Sequence, residues 1–179
     1  GMPLGVLVGK KEYMQHFEKE FLSTTYAPEA LTLAAASANI DFYIENDVIK
    51  DLWKKGDYID RNFQQVIDKY DLSKNVSLAG YSVRLMVNTH GDDGLQDPKL
   101  ATLYQQEMFR NGILCFSGVL MLSYALTDED LSLIVGAFDK TCKVIKDALE
   151  SDKTIDDFLE GPPGAPVFKG LREKNAVSN

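Results

Sequence analysis

Apolar and polar positions alternate along the chain in two periods, and the changes of period mark the elements. Leu4 to Val8 is a short apolar run broken only by Gly5, the pattern of a buried strand with a turn on each side. A short helical segment follows over Lys11 to Glu20. The stretch "FLSTTYAPEA" interrupts it, with Ser23, Thr24 and Thr25 suited to caps rather than helix interiors. Pro28 and Glu29 suit the first turn of a new helix. Leu33, Ala36, Ile40, Ile44, Val48 and Leu52 then recur every three or four residues, which predicts one long helix from Glu29 to about Lys55, ended by Gly56.

Asp57 opens the next predicted helix, to about Tyr70, with Ile59, Phe63, Val66, Ile67 and Tyr70 inward. "VSLAGYSVRLMVNT" switches to period two: Val83, Leu85 and Val87 alternate with Arg84, Met86 and Asn88, as in a strand with one buried face. "HGDDG" reads as a turn. Asp97 and Pro98 predict the start of a helix that "RNG" ends at Gly112. "ILCF" and "VLMLSYAL" predict a second pair of strands. Thr127 caps a final helix whose stripe is Leu131, Ile134, Val135, Phe138, Cys142, Ile145 and Leu149. "TIDDFLEG" adds a short helix, and the residues after it show no periodicity. The order predicts an α+β fold, a small antiparallel sheet covered by helices, preceded by a strand/helix arm with no sheet of its own to join.

Charge and composition narrow the function classes. The 179 residues carry a formal charge of −8, which argues against a nucleic-acid partner, since that needs a basic face. No apolar stretch is long enough to span a bilayer, so no membrane partner is expected. Cys115 and Cys142 sit among apolar neighbours and read as reduced, buried thiols of a cytoplasmic protein.

Catalytic signatures are sparse. The sequence contains no GxGxxG, no GxxxxGK[ST], no GxSxG and no CxxC. His16 and His90 are the only histidines, and His90 lies in an Asp- and Gly-rich turn that explains it without a metal. The acidic runs at 128–130 and 156–157 fit helix first turns. "STTY" leaves two readings open: capping of the next helix, or phosphate binding by hydroxyls and free N–H groups before a helix.

Four stretches carry a family resemblance: "GMPLGVLVGKKEYMQHF", "FLSTTYAPEALTLAAASANIDFYIEND", "YSVRLMVN" and "FRNGILCFSGVLMLSYALTDEDL". In that order they resemble the C-terminal part of class III pyridoxal-phosphate-dependent aminotransferases, in particular the glutamate-1-semialdehyde aminomutase-like branch. In that family a lysine holding pyridoxal phosphate as a Schiff base precedes an "NGxPLG" turn, which Gly1–Gly5 resembles here. The resemblance therefore implies a catalytic lysine ahead of residue 1. Lys10 and Lys11 follow the strand and do not match the motif. No catalytic residue or metal ligand is assigned within the chain, which is expected to be inactive alone and to hold no cofactor tightly.

The resemblance also implies site residues and an organisation. The family binds the cofactor phosphate of the partner subunit through a threonine in "(S/T)TFxGxxxxLAAA". Thr25 matches it, with Thr24 just before, although Ala27 and Pro28 depart from the glycines often found in relatives. Arg84 is a weaker match to an arginine that holds a substrate carboxylate in some branches; an arginine on a solvated strand face is the competing reading. The implied parts are residues 1–28 from a large cofactor-binding domain, 29–55 a connecting helix, 56–160 a small domain and 161–179 a tail. The implied assembly is a homodimer, and the implied substrate an amino acid or amino-aldehyde. The alternative from another class is a non-enzymatic dimerisation or interaction module derived from the same family.

Overall fold

The computed structural model describes residues 2–20 and 29–164. The chain divides into two units, Gly1–Ile49 and Lys50–Asn179. In the first, residues 2–10 form no strand, contrary to expectation: Val8 is 80% exposed. A strand holds its shape through a ladder to a neighbour, and no segment among the described residues offers one here. Helix α1 (Lys11–Met14) starts where the Lys10 carbonyl accepts from the Tyr13 and Met14 N–H groups, both at 3.0 Å, and runs on as a 3-10 turn at Gln15–Glu18.

Helix α2 (Ala30–Glu45) begins one residue later than its pattern suggests. Glu29 is the N-cap, and its carboxylate accepts from the N–H groups of Leu31 (3.2 Å) and Thr32 (2.8 Å) and from the Thr32 hydroxyl. The helix expected to run to Lys55 stops at Asn46. Asn46 donates both its backbone N–H (3.1 Å) and its Nδ2 (2.9 Å) to the Phe42 carbonyl, and Asp47 turns left-handed at φ 49°. Asn and Asp tolerate this conformation better than most residues. The apolar stripe does not give α2 a buried face: Leu33, Ile40 and Ile44 are all exposed, Ile44 by 72%.

Helix α3 (Val48–Lys69), which belongs to the second unit from Lys50 on, runs straight through Gly56, which corrects the predicted helix end there. Gly56 serves contact instead. A β-carbon on it would lie 2.6 Å from the Ser82 carbonyl carbon, so only glycine lets the hairpin turn rest on the helix. That hairpin is β1 (Val76–Tyr81) and β2 (Arg84–Thr89), antiparallel in the register Val76↔Thr89 to Tyr81↔Arg84. Leu85 and Val87 are buried as the alternation predicts, and Thr89 continues their face.

The second predicted strand pair is not a pair of strands. Residues 113–126 touch the sheet at one point, where Val87 N–H donates to the Gly118 carbonyl (2.9 Å) and Leu120 N–H to the Leu85 carbonyl (2.8 Å). Ser117 (φ 47°) and Gly118 (φ 79°) are both left-handed, which curls the segment away from an extended path. A β-carbon on Gly118 would sit 2.3 Å from the Val87 carbonyl oxygen.

Helices α4 (Pro98–Arg110) and α5 (Asp128–Glu150) start as their sequences predict. Asp97 accepts from Lys99 and Leu100 N–H groups, and Thr127 and Asp130 form a reciprocal capping box. Leu100, Leu103 and Tyr104 of α4 meet Leu131, Phe138, Cys142 and Ile145 of α5 and Ile59, Phe63 and Ile67 of α3 in one buried cluster. Phe63 and Phe138 stack at 3.7 Å between centroids, and Tyr104 meets Phe138 edge-on at 6.3 Å. Full burial stabilises each such side chain by about 1.5–3 kcal/mol, so these rings set the packing of all three helices. The described residues thus form an α+β fold with a two-stranded antiparallel sheet and five α-helices.

Candidate functional site

Thr24 and Thr25 lie outside the described residues. Arg84 begins β2, opposite Tyr81, just after the turn that rests on Gly56. Ser82 Oγ donates to Asp57 Oδ1 at 2.8 Å and fixes that turn to α3. Tyr81 in turn stands edge-on to Trp53 at 6.0 Å. Arg84 is exposed, and no described residue forms an ion pair or hydrogen bond with its guanidinium. Arg84 is thus the register partner of Tyr81, whose ring meets Trp53; neither aromatic is among the residues singled out from the sequence.

The remaining candidates have structural partners. His90 Nε2 lies 2.9 Å from Ser77 Oγ, and its backbone N–H donates to the Asn75 carbonyl at 2.8 Å. Asp93 and Asp97, beside it, accept from Leu95 and Lys99 N–H groups, so their carboxylates are occupied by turn and cap. No group of three His, Cys, Asp or Glu side chains suited to a metal occurs among the described residues. In the acidic runs, Asp130 and Asp157 complete capping boxes with Thr127 and Thr154, and Asp156 pairs with Lys99.

Two features were not visible in the sequence. The first is a groove of about 380 Å³ between α3 and the start of α5, lined by Asp51, Lys54, Lys55, Tyr58, Arg61 and Asp128. Lys55 is its most enclosed cation. Its Nζ lies 2.6 Å from Asp51 Oδ2, donates to the Tyr124 carbonyl at 2.7 Å and sits 5.2 Å from the Tyr124 ring centroid. The Asp51–Lys55 spacing of four is a readable signal; the Tyr124 contact, from 69 residues away, is not. The second feature is a buried polar cluster. The Tyr104 hydroxyl is fully enclosed without a well-aligned partner, beside the Cys115 thiol. Burial pushes Tyr104 well above the usual phenol range, and burial also pushes up the thiols of Cys115 and Cys142. Both cysteines are free and buried, as expected.

About four-fifths of the chain has counterparts among known proteins. No family model matches it. A 3-aminobutyryl-CoA aminotransferase from Cloacimonas acidaminovorans is 26% identical over 153 residues, which are 83% of this chain and 36% of that protein. A glutamate-1-semialdehyde 2,1-aminomutase from Ruminiclostridium cellulolyticum is 22% identical, over 79% of this chain and 35% of its own length. Among solved structures, the FumI protein of Sphingopyxis sp. MTA144 in its PLP internal aldimine form has a TM-score of 0.69 at 14% identity. That match covers 85% of this chain and 36% of that one. An S-selective transaminase from Arthrobacter sp. with alanine bound gives 0.61 at 18% identity, over 76% and 34% of the two chains.

Over about four-fifths of its length the chain is similar to enzymes named aminotransferase and aminomutase, and it shares the fold of the matching third of solved transaminases. The structural likenesses carry the fold, and the curated relatives carry the aminotransferase and aminomutase names. The chain spans about 36% of the length of the aminotransferase it matches. No helix among its described residues is long and apolar enough to cross a membrane.

Proposed function

We propose that the chain serves as the C-terminal portion of an enzyme that moves amino groups with pyridoxal phosphate, as a transaminase or as an aminomutase. The observation that carries this reading is the likeness over four-fifths of the chain to enzymes of those names, with only about a third of their length covered. Pyridoxal phosphate supplies an electron sink for such chemistry when bound.

The described residues do not by themselves fit that cofactor. The groove at α3 and α5 has its partly buried amine, Lys55, already held by Asp51 and Tyr124, and its acids Asp51 and Asp128 would face a phosphate. The chain alone is therefore proposed to be inactive. Its own contributions are positional. Thr25, with Thr24, is proposed to hold the cofactor phosphate across a homodimer. The exposed guanidinium of Arg84 is proposed to take the carboxylate of an amino-acid or amino-aldehyde substrate in the bidentate manner that suits it. The parts 1–28, 29–55, 56–160 and 161–179 are proposed to keep the roles implied by the family, in the cytoplasm, with 29–55 made of α2 and the start of α3 rather than one connecting helix.

The alternative, an interaction module without chemistry, draws support from the first unit. Residues 2–8 and α2 carry exposed apolar side chains, among them Val6, Leu7, Val8, Ile40 and Ile44, which a partner surface could cover. Both readings expect self-association, so light scattering does not separate them. Assay does. The chain and the longest in-frame product of its gene are each supplied with pyridoxal phosphate and an amino donor, and pyridoxamine phosphate is measured. Turnover by the longer product alone supports the enzyme reading. A longer product that folds and does not turn over supports the module, and turnover by the chain alone overturns the proposed inactivity.

A further inference from the structure

The segment after α5 is laid along α4 and fastened side chain by side chain. Lys99, Thr102, Gln106 and Arg110 recur every three or four residues and form one stripe of the α4 surface. Lys99 pairs with Asp156. Thr102 Oγ1 accepts from the Gly164 N–H at 2.8 Å. Arg110 Nη2 meets Glu160 at 2.6 Å, while Nη1 holds the buried Glu107.

Gln106 is the most specific of the four. Its Nε2 donates to the Phe158 carbonyl at 3.0 Å, and its Oε1 accepts from the Glu160 N–H at 2.8 Å. One carbonyl and the N–H two residues on are what a neighbouring strand would pair with, so a single side-chain amide stands in for a strand. Leu159, between them, is extended at φ −88° and ψ 140°. No backbone–backbone hydrogen bond joins 155–164 to another element among the described residues. The segment's apolar contacts, Ile155, Phe158 and Leu159, are only partly buried, whereas the α3–α4–α5 core behind them is sealed.

We propose that residues 155–164 form a clasp, a 3-10 turn at Ile155–Phe158 followed by an acidic stretch that is extended at Leu159, held in cis on the α4 stripe, which opens as a unit while α3, the hairpin, α4 and α5 stay folded. Gln106 is its pin. The polar fastening is two exposed ion pairs, each worth little, and the hydrogen bonds of two side chains. Fully buried rings hold the rest, so the clasp is the lower-stability part. The inference does not depend on the cofactor reading.

Native-state hydrogen exchange on the full chain tests it. In the wild type the Glu160 and Gly164 amides are expected to be protected, but to exchange about tenfold or more faster than α5 amides near Phe138 and Thr141. In Gln106→Ala both amides are expected to speed up about tenfold, with α5 unchanged; Gly164 moves although its own partner, Thr102, is intact. Exchange of Glu160 at the α5 rate in the wild type would overturn the proposal. So would a Glu160 amide with no protection, a Gly164 amide indifferent to Gln106→Ala, or loss of the whole fold in that variant.

Discussion

Gly56 and Ser82 are in backbone contact: the space for a side chain on the helix is filled by the hairpin turn, with Val83 N 2.8 Å and the Ser82 carbonyl oxygen 2.7 Å from where a β-carbon would stand. Gly56→Ala therefore adds a clash with backbone that has no rotamer to yield. Alanine's helix propensity favours it by about 1 kcal/mol, and overpacking costs about 1–3 kcal/mol or more. The expected net result is destabilisation. Gly136, in the middle of α5, is the control, because a β-carbon there meets nothing within 4 Å. Gly136→Ala should stabilise by roughly 1 kcal/mol. Urea midpoints for the two variants should move in opposite directions.

The enclosed Tyr104 hydroxyl contributes little beside its ring. Tyr104→Phe removes a buried polar group that lacks a good partner and should leave stability within about 1 kcal/mol of the wild type, or raise it. Tyr104→Ala removes a fully buried ring packed on Phe138 and should cost about 3–5 kcal/mol. Equal losses in the two variants, by chemical denaturation, would contradict this division.

Acid should release two caps. The Thr127 N–H, and after it the Thr127 hydroxyl, hold Asp130 below the usual carboxylate range; the Thr154 hydroxyl and N–H do the same for Asp157. A carboxyl whose pKa is depressed on folding contributes stability above its unfolded pKa, about 3.9 for Asp, and loses it as pH falls through the folded value. The wild type should exceed Asp130→Asn in Tm at neutral pH. That difference should shrink below about pH 4. A difference that stays constant to the most acidic pH at which the protein folds would contradict the linkage.

Neither thiol should behave as a reactive site. Burial raises both Cys115 and Cys142, and the nearby Asp139 raises Cys142 further. The thiolate is the reacting form, so a thiol reagent at mildly alkaline pH should label the native chain slowly and both cysteines promptly in denaturant. A fast native phase would show an accessible thiolate.

What the sequence reveals follows the range of each interaction. The starts of α4 and α5 are legible because Asp97–Pro98 and Thr127–Asp130 act on N–H groups two or three residues away. The buried face of β2 is legible for the same reason, since Leu85 and Val87 alternate within one strand. Gly56 is misread because its partner is 26 residues on, and a glycine chosen for contact looks like one chosen to end a helix. The apolar run at 113–126 looks like strands, yet left-handed Ser117 and Gly118 decide its path. The stripe of α2 predicts a buried face where Ile40 and Ile44 are exposed. The clasp on Gln106 has no local signature, because its partners lie 52 and 54 residues away. Of the candidate site residues, Arg84 is placed at the hairpin turn, and Thr24 and Thr25 fall outside the described residues.

We propose that the chain does not hold pyridoxal phosphate covalently by itself. Borohydride reduction of the chain mixed with equimolar pyridoxal phosphate, followed by peptide mass mapping, tests it most directly. The expected result is only a scattered, substoichiometric pyridoxyl label spread over exposed lysines, with Lys55 protected by Asp51 and the Tyr124 carbonyl. One lysine labelled to completion would contradict it.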